Sequence, residues 1–119
     1  MIEASCHCGA VRLELPRAPR RLLDCNCSIC RRNGGLWAYY TAGSVRFRYR
    51  KRDVETYAWG DRMLRYIRCR HCGCLLHWEP TRRTSASRVG VNMRNVDPAL
   101  IAKVRVRRFD GAKTWKFLD

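Results

Sequence analysis

Eight cysteines in 119 residues fall into three tight groups, and their allotment constrains the fold more than any other feature of the chain. Cys25-Asn26-Cys27-Ser28-Ile29-Cys30 is the densest group, and Cys6-His7-Cys8-Gly9 and Cys69-Arg70-His71-Cys72-Gly73-Cys74 hold the rest. Thiolates at these spacings can converge on one Zn²⁺, and three protein ligands leave the fourth tetrahedral position for water or substrate. Disulfides are the competing use of so many cysteines. A bridge across a Cys-x-Cys pair is badly strained, so metal is the better account. The start, Met1-Ile2-Glu3-Ala4-Ser5-Cys6, has neither the basic residues nor the apolar run of a secretory signal. No stretch approaches the roughly 18–20 apolar residues of a membrane span. A cytoplasmic, reducing setting and no membrane partner are therefore expected.

Two groups share a detail: Cys8 is followed by Gly9, and Cys72 by Gly73. In a metal knuckle the chain turns tightly behind the second ligand, and glycine permits the positive φ such a turn can need. Cys6 and Cys8 therefore pair with Cys69 and Cys72 as two knuckles closing one four-thiolate structural zinc site. Such a site would tie the N-terminal strand to the middle of the chain and supply much of the folding free energy. The Cys25, Cys27 and Cys30 group has no second pair. Its fourth ligand could be Cys74, a histidine (His7, His71 or His77), water or an incoming substrate. If Cys74 closes it, both zincs are structural and the chemistry disappears. Alternatively Cys74, two residues past Cys72 on an extended run, points to the opposite face and packs as a small hydrophobe. His7 and His71 sit inside the knuckles as exposed fillers, and His77, beside Trp78, reads as a packed or pocket-lining residue.

Most of the apolar pattern has period two, the mark of half-buried strands. Val11 to Leu15 alternates cleanly and stops at Pro16. Leu36 to Thr41, Val45 to Tyr49, Val54 to Trp59, Met63 to Cys69, Leu75 to Trp78, Ser87 to Met93 and Val104 to Phe109 are further short strands. Ser28 to Asn33 and Pro98 to Lys103 are candidate helical turns, and 17–21 reads as a surface loop. With no linker or repeat, residues 1–119 make one domain: mainly β, small, antiparallel and pinned by zinc.

The net charge is +15, most of it from arginine. That favours anionic partners, nucleic acid included. Yet Arg46, Arg48, Arg50, Lys51 and Arg52, and Arg105, Arg107 and Arg108 among Val104 and Val106, are spread as on solvated strand faces.

Together these residues resemble the glutathione-dependent formaldehyde-activating enzymes, a β-tent family shared with centromere-protein-V-like proteins. The matching segments are Ser5 to Val11, Asp24 to Arg32, Tyr57-Ala58-Trp59-Gly60, Cys69 to Gly73, and Phe109 to Trp115. The resemblance implies a structural zinc on Cys6, Cys8, Cys69 and Cys72 and a catalytic zinc on Cys25, Cys27 and Cys30, two per chain. It also implies addition of glutathione, or a similar thiol, to formaldehyde or another small aldehyde. Three thiolates leave a Zn²⁺ site at a formal charge of −1, which suits a soft thiol as fourth ligand; polarising the carbonyl is the other role open to the metal. For the carboxylates of glutathione, Arg31 and Arg32 directly after the cluster are candidate contacts. Tyr39, Tyr40 and Trp59 are candidates for the cleft or the core, and Asp110-Gly111 for a turn. The rival to an enzyme is a zinc-stabilised module that binds nucleic acid or protein.

Overall fold

Leu13 and Leu15, set between Arg12, Glu14 and Pro16, are fully buried, as the alternation demands. The computed structural model describes residues 1–119 and contains β1 (Ile2–Ser5), β2 (Arg12–Leu15), β3 (Arg21–Cys25), helix α1 (Ser28–Asn33), β4 (Trp37–Thr41) and β5 (Arg46–Arg48). The remaining strands are β6 (Val54–Tyr57), β7 (Leu64–Cys69), β8 (Leu75–Pro80), β9 (Arg88–Asn92) and β10 (Arg105–Phe109). Apart from α1 the only helical pieces are short 3-10 turns, including Pro98–Leu100 within the predicted 98–103 turn. The chain is thus mainly β with short helical turns.

The strands form a small sheet, β1-β2-β5, and a seven-stranded sheet, β10-β3-β4-β9-β8-β7-β6. Leu13, Leu15, Leu22, Val89, Val91 and Met93 fill the space between them. Fully burying each such side chain is worth roughly 1.5–3 kcal/mol. A second cluster, with Val11, Ile67 and Leu76, gathers around Cys6 and Cys69.

Two strands escape the alternation rule. In β3, Leu22 enters the main core while Leu23 packs on the other side with Cys25, Cys30 and Trp37. Both faces are covered, so the strand has no wet face to reveal it, and Arg21, read as loop, is its first residue. β1 is the other addition, paired to β2 with Ala4 opposite Leu13. The antiparallel expectation holds for every pair but one: β10 runs parallel to β3, with Phe109 beside Cys25. That pair brings the last strand to the cysteine-rich turn.

Candidate metal centres and cavity

Cys6 and Cys8 follow β1, and Cys69 and Cys72 lie at and beyond the end of β7, so one cluster joins the two sheets. The Cys6 and Cys8 sulfurs are 3.7 Å apart and those of Cys8 and Cys69 3.6 Å apart. A tetrahedron with Zn–S bonds of about 2.3 Å has S···S edges of about 3.8 Å, so the spacing fits four thiolates on one zinc. Gly9 and Gly73 have φ of 84° and 79°, the left-handed turn expected behind each knuckle. Backbone N–H groups point at the sulfurs: that of Val11 donates to Cys6 Sγ at 3.3 Å. Burial opposes ionisation of Cys72, yet the Cys74 and Cys8 N–H groups pull its thiol down to about 5.

Cys25 ends β3, Cys27 caps the start of α1 and Cys30 lies in its first turn, and their sulfurs lie within 4.8 Å of one another. A hydrogen bond from the Cys30 thiol holds Cys25 down to about 6 against the effect of burial, helped by the Cys27 and Gly111 N–H groups. The same bond, together with burial, pushes Cys30 up. One of the three is thus readily a thiolate, and a cation would relieve the crowding of all three. Cys74 belongs to neither cluster; it packs against the core beside the four-cysteine knuckle. No histidine closes the trio either. His7 and His71 are exposed, and His77 is buried with its Nε2 on the Tyr49 hydroxyl at 2.9 Å.

The turn after β10 clamps the trio. Asn26 Nδ2 donates to Asp110 Oδ1 at 3.0 Å, and the Ala112 N–H donates back to Asn26 Oδ1 at 3.0 Å. Thr114 donates to the other carboxylate oxygen at 2.8 Å. Donation from Asn26 and Thr114 lowers the Asp110 pKa below its ordinary value. Asp110 and Gly111 do form a turn, as expected, and the turn also braces the cysteines.

Beside the trio opens a cavity of about 480 Å³. Leu23, Trp37 and Tyr39 line it from β3 and β4, Tyr66 and Trp78 from β7 and β8, and Phe109 from β10. Arg21, Arg88 and Arg107 supply its charge. The Arg88 guanidinium lies 4.2 Å over the Tyr39 ring, and that of Arg107 3.8 Å over Phe117. Burial raises the pKa of both Tyr39 and Tyr66, so both remain neutral hydroxyl donors.

Residues 1–109 match the family described as glutathione-dependent formaldehyde-activating enzyme. The chain belongs to this family. A crystal structure of a Rhodobacter sphaeroides protein from structural genomics is similar, with a TM-score of 0.70 and 30% identity over 88% of this chain and 99% of that one.

Within this glutathione-dependent formaldehyde-activating family member, the structure assembles seven of the eight cysteines into two clusters, of four and three, that could each hold a metal. Of the other candidates, Tyr39 lines the cavity. Tyr40 is core, its hydroxyl donating to the Arg17 carbonyl at 2.9 Å. Trp59 lies in the turn after β6, 41% exposed and outside the lining. Arg31 and Arg32 are exposed on α1 and also lie outside the lining, and Arg32 donates to the Ser28 carbonyl at 2.8 Å. The helix explains it: with Cys30 turned inward, the next two residues swing about 100° and 200° away. The cavity's arginines come instead from strands. Arg107 was legible only as half of an alternation, which looks the same whether a strand faces water or a cavity, and nothing local marks Arg21 or Arg88. Phe117 and Trp115, also in the lining, follow the matched residues.

Proposed function

We propose that the protein is a zinc-dependent enzyme forming a carbon–sulfur bond, adding a thiol, glutathione by family kinship, to formaldehyde or another small aldehyde in a cytoplasmic setting. The observation that carries this reading is the inequality of the two cysteine clusters. Four thiols make a closed set between the sheets; three make an open set at a cavity. Cys25, Cys27 and Cys30 would hold the second zinc, which when bound favours the thiolate form of a thiol or polarises a carbonyl. Arg21 and Arg88, neither paired with a carboxylate, are placed to hold the carboxylates of the thiol substrate. The apolar walls exclude water from the reacting pair. The substrate sulfur adds to the carbonyl carbon, the π pair moves to oxygen, and the thiol's proton ends there, with Tyr39 or Tyr66 as hydrogen-bond donor to the developing oxyanion.

The test is exchange between free glutathione and its S-hydroxymethyl adduct, followed by magnetisation transfer in the presence of formaldehyde. Zinc-loaded protein is expected to accelerate exchange, and Cys27→Ser to abolish the acceleration while leaving the circular dichroism spectrum unchanged. The +15 charge favours a second reading, a zinc-stabilised nucleic-acid-binding module. No acceleration with any aldehyde, together with duplex DNA binding that weakens steeply with salt, would put that reading first.

A further inference from the structure

The cavity walls are more apolar than either named substrate requires. Formaldehyde has one carbon and gains nothing from aromatic contact. Glutathione carries two amides, two carboxylates and an ammonium, which apolar walls would desolvate without partners. Arg21 and Arg88 answer the carboxylates, but no acidic side chain lines the cavity to receive the ammonium. The volume, about 480 Å³, lies in the roughly 300–1,000 Å³ range of pockets that bury drug-sized ligands. Two apolar flanks remain unassigned: Phe109, Trp115 and Phe117 on the β10 side, and Leu64 and Trp78 on the β7–β8 side.

Trp115 adds an independent observation. Its φ is 62°, left-handed backbone that a bulky residue adopts only at a cost in strain. The side chain is 71% exposed, so burial within the protein does not offset that cost. Its indole packs edge-on against Phe109, with ring centroids 5.2 Å apart, at the cavity's edge. The Trp115 N–H closes the turn onto the Asp110 carbonyl at 2.7 Å, so the turn holds the indole at the cavity's rim with most of its surface open to a ligand.

We infer that the electrophile accepted at this site is an aldehyde with an apolar, aliphatic or aromatic body rather than a one-carbon carbonyl, because the polar thiol leaves the two apolar flanks without a partner. Its body lies between the two apolar flanks and its carbonyl carbon lies at the cysteine trio. The inference rests on the thiol–aldehyde reading and deepens it. The chemistry balances as before: the C–S bond forms, the carbonyl π bond breaks toward oxygen, the thiol's proton moves to that oxygen, and nothing is oxidised or reduced.

Binding of stable adduct mimics to the zinc-loaded protein tests the idea without requiring turnover. S-hexylglutathione is expected to bind at least about tenfold tighter than S-methylglutathione in calorimetry, since apolar pockets discriminate by roughly tenfold or more even per methylene. Trp115→Gly, which suits the left-handed backbone and removes part of one wall, is expected to shrink that ratio severalfold. Equal affinities in the wild type, or a ratio untouched by both Trp115→Gly and Leu64→Asp, would overturn the inference. In parallel, hexanal is expected to exceed formaldehyde in kcat/KM by at least about tenfold. Formaldehyde as the better substrate sinks the inference and leaves the proposed function standing; acceleration with neither aldehyde sinks both.

Discussion

Gly111 lacks a side chain where Cys25 leaves no room for one: a Cβ there would sit 2.5 Å from the Cys25 sulfur. Gly111→Ala is therefore expected to displace the Cys25 thiol and empty the three-cysteine cluster, dropping bound zinc from two per chain to one. Metal analysis beside a thermal melt checks it, because the four-cysteine cluster lies elsewhere and the melting temperature should barely move. Asp110→Ala should act on the same cluster more mildly, by releasing Asn26. The seven clustered cysteines were legible in the sequence because ligand spacing within each group is local, and the glycines behind Cys8 and Cys72 marked which pairs belong together. Asn26 and Gly111 were not legible as partners of the cluster. One lies between two of its ligands and the other far along the chain, and only the fold makes them neighbours.

Where β8 meets the small sheet, His77 is sealed into a polar row. Tyr49 meets its Nε2, the Phe47 ring lies 5.1 Å away by centroid, and Glu79 Oε1 stands 3.7 Å from its Nδ1. Glu79 is buried too, held by Arg65 at 2.6 Å and Arg83 at 3.3 Å. Burial above all, then the nearby Arg83 charge, pulls the His77 pKa from 6.5 to about 3. The folded state thus excludes a proton that the unfolded chain accepts below pH 6.5. Stability from this group is complete above that pH and declines as pH falls toward 3, with a slope approaching about 1.4 kcal/mol per unit. Urea unfolding between pH 6.5 and 5 should show a shallower slope in His77→Gln than in the wild type; equal slopes would refute the account. His77 was legible as a packed residue beside Trp78, and it is fully buried, but strand alternation could not reveal Tyr49 and Glu79 as its partners, because that pairing depends on how β8 meets the small sheet. Nor could it reveal the parallel β3–β10 pair, whose register depends on residues more than eighty positions apart.

For the molecule as a whole the two cysteine clusters differ in placement, four thiols between the sheets and three beside a cavity. The four-cysteine cluster links residues 61 apart and fastens one sheet to the other. Structural zinc contributes about 10–16 kcal/mol of binding, comparable to or above the whole stability of an ordinary domain at about 5–15 kcal/mol. Cys69→Ser should therefore unfold the chain at ambient temperature, whereas Cys27→Ser should leave it folded. Chelator titration of the wild type should release zinc in two phases, with circular dichroism lost only in the second. A single phase with simultaneous unfolding would mean that both clusters are staples. The hydrogen bond from Asn26 to Asp110 spans 84 residues and closes the trio only after β10 has docked. On the ribosome, then, Cys25, Cys27 and Cys30 emerge long before the segment that completes their cage. A nascent chain carries three unclamped thiols and no cavity beside them, so premature release or stalling before residue 110 would yield a product open to oxidation and mismetallation.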